Sequence, residues 1–466
     1  MTKSLEICVV PCGPNEAFLS GLKFDYGPAV ATTPSILEET VRPLAVCPTG
    51  IDKIIITPVA FRDPALLNAV GVHQPFAIRS VIEVVTSDGL TGLGESYGDL
   101  AHLEQLRLVA DAIVGLDVFS SNQMFIRAAA ALRGVVGRDD HGLTGAISAA
   151  GTLLRAYSAF EVACLDVQGQ LLARPVVDLL GGAVRTAVPF SAYLFYKWAA
   201  HPGEKPDVYG AALDPDSIVE QARWMVSQYG FTAIKLKGGV LTPSQEVDTI
   251  FALRDAFPEV PLRLDPNAAW TVATSIKVGQ ELDGVLEYLE DPTSGLSAMA
   301  DVARQVAMPL ATNMCVVGFE DVPTAIEQRS IGVILSDHHY WGGLRRVQEL
   351  AAICDTFDLG LSMHSNSHLG ISLAAMTHVA AAVPNLTYAL DTHWPWKDQD
   401  VIVDGSLTFK DGSVTVPTAP GLGVELDRDA LDELHRQYLT CGITTRSDTI
   451  YMRQFNPSFD ARPARW

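Results

Sequence analysis

At 466 residues the chain is too long for one small core, and its length predicts two or three domains. With 33 Lys and Arg against 54 Asp and Glu it carries a net charge of −21 and a pI near 4.8. Nonspecific binding to nucleic acid or to an anionic membrane is thereby disfavoured, and an anionic substrate would need a local Lys, Arg or metal to hold it.

Residues 1–50 are rich in Pro and Gly, show no sustained period and read as an extension; the apolar run 7–10 is short and Pro11 breaks it, so no signal peptide is expected there. Residues 51–186 read as a small α+β domain. Strands are expected at 54–59, 78–85 and 91–95, with Ser87-Asp88-Gly89 as the turn between the latter two, followed by helices at 103–114, 121–132 and 145–172. From 187 to 420 short apolar strands alternate with amphipathic helices. The strands fall at 188–194, 232–236, 262–264, 285–289, 309–312, 333–335, 360–363 and 387–390, with helices such as 215–227 and 344–356 between them, which is the rhythm of a (β/α) barrel. Residues 370–384 form the most apolar long segment, yet they carry His378 and are too few to span a bilayer. After residue 420 the pattern is irregular, and 446–466 shows none. The seven cysteines (Cys8, Cys12, Cys47, Cys164, Cys315, Cys354, Cys441) lack CxxC spacing and predict buried thiols in a reducing compartment; Cys8 and Cys12 resemble a zinc half-site, but no partner pair follows. A cytoplasmic protein without membrane or nucleic-acid partners is the expectation.

One strand after another ends in a polar or charged residue: Lys235 and Lys237, Asp265 and Asn267, Glu290, Asn313, Asp337, His364 and Asp391, at steps of 23 to 30 residues. In a barrel such positions gather at the C-terminal mouth, where active sites form. Alternation along 232–237 puts Lys235 and Lys237 on one face and Ile234 and Leu236 on the other, so both ammonium groups are expected in the mouth. Their mutual repulsion favours a lowered pKa in one of them. Asp265, Glu290 and the Asn313 amide are hard oxygen donors on neighbouring strands, and without thiolates or a histidine cluster they suit Mg²⁺ better than zinc. Asp337 and His364 end consecutive strands and are placed to form an acid/base dyad.

Each of these has a plainer reading. The lysines could be solvated strand ends, Asp265-Pro266 or Asp291-Pro292 could be helix caps, and a lone histidine is usually a surface or satisfied core residue, as expected for His102, His141, His201, His378 and His435. Three oxygen donors in register, with lysine on one side and histidine on the other, favour instead a site that removes a proton next to a carboxylate, where a cation and a positioned base are both required. A Schiff-base aldolase with Lys237 as nucleophile is the rival from another class, and the metal-type donors argue against it.

These residues resemble the enolase superfamily through Ala233-Ile234-Lys235-Leu236-Lys237, Leu264-Asp265-Pro266-Asn267-Ala268-Ala269-Trp270, Glu290-Asp291-Pro292 and His364. More narrowly, Ala311-Thr312-Asn313-Met314, Met363-His364-Ser365-Asn366-Ser367-His368 and Leu390-Asp391-Thr392-His393-Trp394 are similar to the glucarate dehydratase group. The resemblance implies a modified TIM barrel of (β/α)7β form over 187–420, an α+β capping domain at 51–186, and a segment 421–466 that packs back on that domain. It implies Asp265, Glu290 and Asn313 as Mg²⁺ ligands, Lys237 as one base with Lys235 beside it, and His364 with Asp337 as the other. Asn68 and His73 match substrate-capping positions, and Tyr193, Asn267, Ser365, Asn366, His393, Thr144 and Arg446 match substrate-contacting ones. The implied activity is dehydration of an acid sugar, first a hexarate diacid, by a homo-oligomer; racemisation or epimerisation on the same site is the alternative.

Overall fold

The structure, a computed structural model, describes residues 49–137 and 147–466. Nearly all of the expected extension 1–50, the start of the expected helix 145–172, and Thr144 and His141 lie outside the described residues.

Strand Ile51–Arg62 pairs antiparallel with Phe76–Thr86, which pairs with Thr91–Tyr97 across the expected turn, where Gly89 takes φ 90°. Helices Leu100–Ile113, Ser121–Ala131 and Ala149–Leu172 cover this sheet, and their core joins Ile78, Ile82 and Val84 to Leu106, Val109, Phe160 and Ala163. The long helix presses so closely on the third strand that a Cβ on Gly92 or Gly94 would lie 2.0 or 2.1 Å from the carbonyl oxygens of Ala163 and Ala159. Glycine is the residue that lets this helix and sheet meet.

Seven parallel strands follow in sequential order: Ala192–Phe195, Ile234–Lys237, Leu262–Asp265, Leu286–Glu290, Leu310–Thr312, Val333–Ser336 and Gly360–Met363. Helices such as Pro215–Tyr229, begun by an Asp214 capping box, and Leu344–Thr356 pack outside them. Two expectations need correction. The first barrel strand is not continuous over 188–194, because Ala187–Pro189 pairs instead with Ser413–Thr415 and the barrel strand starts at Ala192. Residues 387–390 do not form a ladder strand. They close the barrel through a single bridge between Phe190 and Leu390, with Leu390 N donating to Pro189 O on one flank and Thr387 N and Asp391 N donating to Leu361 O and Met363 O on the other. Pro189 has no N–H to return, so a regular ladder cannot extend there.

Beyond residue 420 the sequence reading found no element, but helices Arg428–Thr440 and Asp448–Arg453 are present. The first buries Leu431, Leu434 and Tyr438, a helical spacing that was there to be read, and packs on Ile51–Arg62, where His435 Nδ1 and Gln437 Nε2 donate to Pro58 O and Ala60 O. The chain end then pairs with a barrel loop, Thr271 N donating to Trp466 O and Trp466 N to Ala269 O. Among the described residues no helix is long and apolar enough to cross a membrane.

His378 sits in the wholly buried helix Gly370–Ala382, where Nδ1 accepts from Val177 N and Nε2 donates to Leu422 O. Burial pushes its pKa down to about 4. The unfolded chain therefore binds a proton that the folded chain refuses, so this stability is complete above the unfolded value near 6.5 and is lost as pH falls toward 4. The loss is on the order of 3 kcal/mol. Urea unfolding at pH 7 and at pH 4.5 is expected to show it, with a shallower pH dependence in His378→Gln; an identical dependence in the variant would refute the assignment.

Candidate active site

The strand ends bring Lys235, Lys237, Asp265, Glu290, Asn313, Asp337 and His364 together as buried groups in and above the barrel mouth. Lys237 Nζ donates to Asp265 Oδ2 (2.7 Å) and Asn267 Oδ1 (2.6 Å). Asn267 stands at φ 54° in a loop held by its own N–H on Asp265 Oδ1, 3.0 Å away. Lys235 lies two residues deeper. Its Nζ donates to Glu290 Oε1 and Asp391 Oδ2, both at 2.7 Å, lies 3.3 Å from Asp265 Oδ2, and sits 4.6 Å above the Tyr193 ring. The expectation of a lowered pKa fails for Lys235. Burial pulls the ammonium down, but Asp391 and Glu290 outweigh it and hold the group well above its ordinary value. Nor is Lys235 at the rim with Lys237, since the strand's twofold period carries it into the layer below.

Asp265 and Glu290 share that one ammonium, and no water reaches either carboxyl group. Burial raises Asp265, but Lys237 and Lys235 bring it well below the carboxylate range; burial and then the Asp265 charge push Glu290 well above it. Two buried carboxyl groups of opposed tendency are what crowding of like charges produces, and a divalent cation relieves it. The third donor completes the set. Asn313 Oδ1 is buried without a hydrogen-bond partner, while Asn313 N donates to Asp291 Oδ2 (2.8 Å) and Thr312 Oγ1 to Asp291 Oδ1 (2.6 Å). Asp291, at φ 36° and pushed by burial to about 7, aims the Asn313 segment from behind. An orphaned amide oxygen beside two crowded carboxyl groups, all on adjacent strands, fits a hard cation such as Mg²⁺.

Opposite, His364 Nδ1 faces Asp337 Oδ2 at 3.4 Å. Burial pushes the imidazole down against the pull of Asp337, and His339 and His364 hold Asp337 well below the usual range despite its burial. His364 Nε2 is thus left to act as an acceptor toward the mouth once Asp337 fixes Nδ1–H.

The remaining expected residues form two groups. Tyr193, Ser365 and His393 adjoin the lysines: the His393 ring stands 5.0 Å from Tyr193, and its Nδ1 3.4 Å from Ser365 Oγ. Half-buried Asn366 donates to Tyr340 Oη and Tyr97 Oη. Asn68, His73 and Arg446 gather at the far end around two carboxylates the sequence reading missed. Arg446 donates to both oxygens of Asp448 (3.0 Å each) and to Asp63 Oδ2, which also takes His73 Nδ1 (3.1 Å) and Ser367 Oγ (3.2 Å); Asn68 Nδ2 reaches Asp448 at 3.3 Å. Asp391, seen in the rhythm of strand ends but given no task, and His339, beside Asp337, were also missed. Asp63 and Asp448 carry no local signal, because only the returning C-terminal segment brings them together.

Comparison with known proteins agrees with this architecture. Residues 51–181 match the family described as mandelate racemase / muconate lactonizing enzyme, N-terminal domain, and residues 217–430 match the enolase C-terminal domain-like family. A probable glucarate dehydratase of Streptomyces coelicolor is 52% identical over 418 residues, covering 88% of this chain and 97% of the relative. An enolase of Thermobispora bispora complexed with magnesium and formate has 62% identity and a TM-score of 0.89, covering 90% of this chain and 100% of that one. An enolase of Mycobacterium smegmatis complexed with tartrate has 63% identity and a TM-score of 0.86, covering 90% and 98%. With a capping sheet, a parallel barrel and a ring of strand-end acids, lysines and histidine, all within the span of these matches, the chain belongs to the mandelate racemase and muconate lactonizing enzyme family of the enolase superfamily.

Proposed function

We propose that this enzyme is a Mg²⁺-dependent acid-sugar dehydratase that takes a six-carbon diacid such as glucarate or idarate to a 4-deoxy-5-keto acid sugar. The orphaned Asn313 amide oxygen beside Asp265 and Glu290, with Lys237 on one side and His364 on the other, carries the reading. Asp265, Glu290 and Asn313 would hold the cation, whose charge acidifies the C–H next to a carboxylate. Lys237 and His364 flank the place where that carbon would lie, so each can take a proton from one face. Lys235, held protonated by Asp391 and Glu290, supplies fixed positive charge beneath the substrate carboxylate. Where His364 has taken the α proton, its imidazolium gives that proton to the departing β-hydroxyl, the C–O bond breaks, water leaves, and the enol tautomerises to the ketone. Residues 187–420 would supply this chemistry, while 51–186 and 421–466 would close over the far end of the substrate.

The far pole is polar throughout, with Arg446, His73 and Asn68 tied to Asp63 and Asp448, a setting that suits the distal hydroxyls of an acid sugar rather than an aromatic ring. The 52%-identical relative named as a probable glucarate dehydratase and the neighbour holding tartrate, itself a small diacid, support the diacid preference. A panel of mono- and diacid sugars, followed by keto-acid formation, is expected to show turnover of hexarates. Turnover of monoacids alone would overturn the diacid assignment, and epimerisation without loss of water would favour the racemase reading.

A further inference from the structure

Behind Asp337 a line of buried polar groups runs from the dyad into the capping domain. Asp337 Oδ1 accepts from His339 Nδ1 (2.7 Å) and His339 N (2.9 Å), so Oδ2 alone is turned to His364. Across the ring, His339 Nε2 lies 2.8 Å from Arg79 Nη2 and 2.9 Å from Ser372 Oγ. Arginine has no acceptor, so a hydrogen on Nε2 would meet another N–H; Nε2 must be bare and Nδ1 must carry the hydrogen. That commits the lone pair a metal would need. Although ligand atoms of Asp337, His338 and His339 lie within 4.8 Å of one another, the cluster is a hydrogen-bond relay and not a cation site.

Arg79 is fixed in its turn. Its Nε donates to Glu95 Oε1 at 2.8 Å, and its guanidinium stacks 4.5 Å from the Tyr97 ring centre. Glu95 accepts from Leu369 N and Ser372 N, both at 2.9 Å, where the His364 loop enters helix Gly370–Ala382. Arg79 and Glu95 belong to the capping strands Phe76–Thr86 and Thr91–Tyr97, whereas Asp337, His364 and His339 belong to the barrel. The two capping strands thus grip both members of the dyad, Asp337 through His339 and the His364 loop through Glu95. Charged residues in a strand as apolar as Phe76–Thr86 need such a purpose, because an unpaired charge there is costly.

We propose that Arg79, Glu95 and His339 are positioning residues that fix the Asp337 carboxylate for His364, so that the His364 half of the acid/base machinery depends on the capping domain while the Lys237 half does not. This rests on the reading of His364 and Lys237 as opposed bases. Two variants separate the relay from simple loss of structure. His339→Gln withdraws the donor from Asp337, whereas His339→Asn keeps a donor at the Nδ1 position. With a hexarate in deuterium oxide, His339→Gln is expected to lower kcat and the exchange on the His364 face about 10- to 100-fold with KM nearly unchanged. Exchange on the Lys237 face should stay within about twofold, as expected for a base outside the relay, and His339→Asn should recover much of the loss. Equal loss on both faces, no loss, or a change in KM alone would overturn the relay. If the wild-type enzyme exchanges no acid sugar at all, the functional reading fails, and the relay is then decided without substrate: the ¹⁵N spectrum of His339 should show the Nδ1–H tautomer, and an Nε2–H tautomer refutes it.

Discussion

Removing divalent cations with a chelator is expected to abolish dehydration and added Mg²⁺ to restore it, whereas Asp265→Asn should not be restored at any ordinary Mg²⁺ concentration. The expected weakening follows from charge. Asp265 and Glu290 bring negative charge to the cation and Asn313 only a dipole, so losing one carboxylate from a fully buried site should weaken Mg²⁺ by about 100-fold or more, the scale of a broken buried charge contact. Asn313→Ala removes the weaker donor and should weaken it less. The substitution at Asp265 also leaves one oxygen where Lys237 Nζ and Asn267 N each use one, so the alignment of the base is disturbed together with the cation. Calorimetric titration of Mg²⁺ into the chelated variants separates the two effects, since affinity is read without substrate. Full activity in exhaustively chelated wild-type protein would end the metal-assisted reading.

The second large effect is one-sided. His364→Asn is expected to lower dehydration by about 1,000-fold, within the range general acid–base groups contribute, while Lys237 continues to exchange the α proton of the epimer it faces with solvent deuterium. Lys237→Met should do the reverse for the other epimer. Asp337→Asn should resemble a milder loss of His364, because the ring stays in place and loses only the carboxylate 3.4 Å from Nδ1. Mass spectrometry of recovered substrate gives the exchange, and keto-acid formation gives the dehydration. Normal turnover in both single variants would rule out the pair as the bases.

Much of this site could be read before any coordinates, and the reason is the fold itself. A barrel turns spacing into position, so Lys237, Asp265, Glu290, Asn313, Asp337 and His364 each identify themselves by ending a strand or directly following one. The same rule explains what was misjudged at Lys235. The sequence shows two lysines two residues apart, but not that Asp391, from the other end of the barrel domain, would lie 2.7 Å from the deeper one and reverse its tendency. Asp63 and Asp448 were missed for a related reason, their meeting being made by chain segments far apart in sequence. The helix Arg428–Thr440 is a different kind of miss. Its Leu431, Leu434 and Tyr438 are legible as a helical stripe, and the irregular sequence on either side obscured them. Arg79 and Glu95 were legible as well, as charges inside strands otherwise built for a core.

The irregular closure of the barrel bears on how fast the site can come into being. The parallel strands from Ile234–Lys237 to Gly360–Met363 each join a neighbour made shortly before, whereas the last seam joins Ser191 to Leu390, 199 residues apart, through a handful of backbone bonds. The loop entropy of that union is spent for little local reward, so it belongs late in folding, when the rest of the sheet already holds its two edges near each other. Asp391 and His393 ride on the closing segment. A chain with nearly all of its strands in place would therefore still lack one of the two carboxylates that Lys235 Nζ donates to, and competence for chemistry would arrive with the final, longest-range contact.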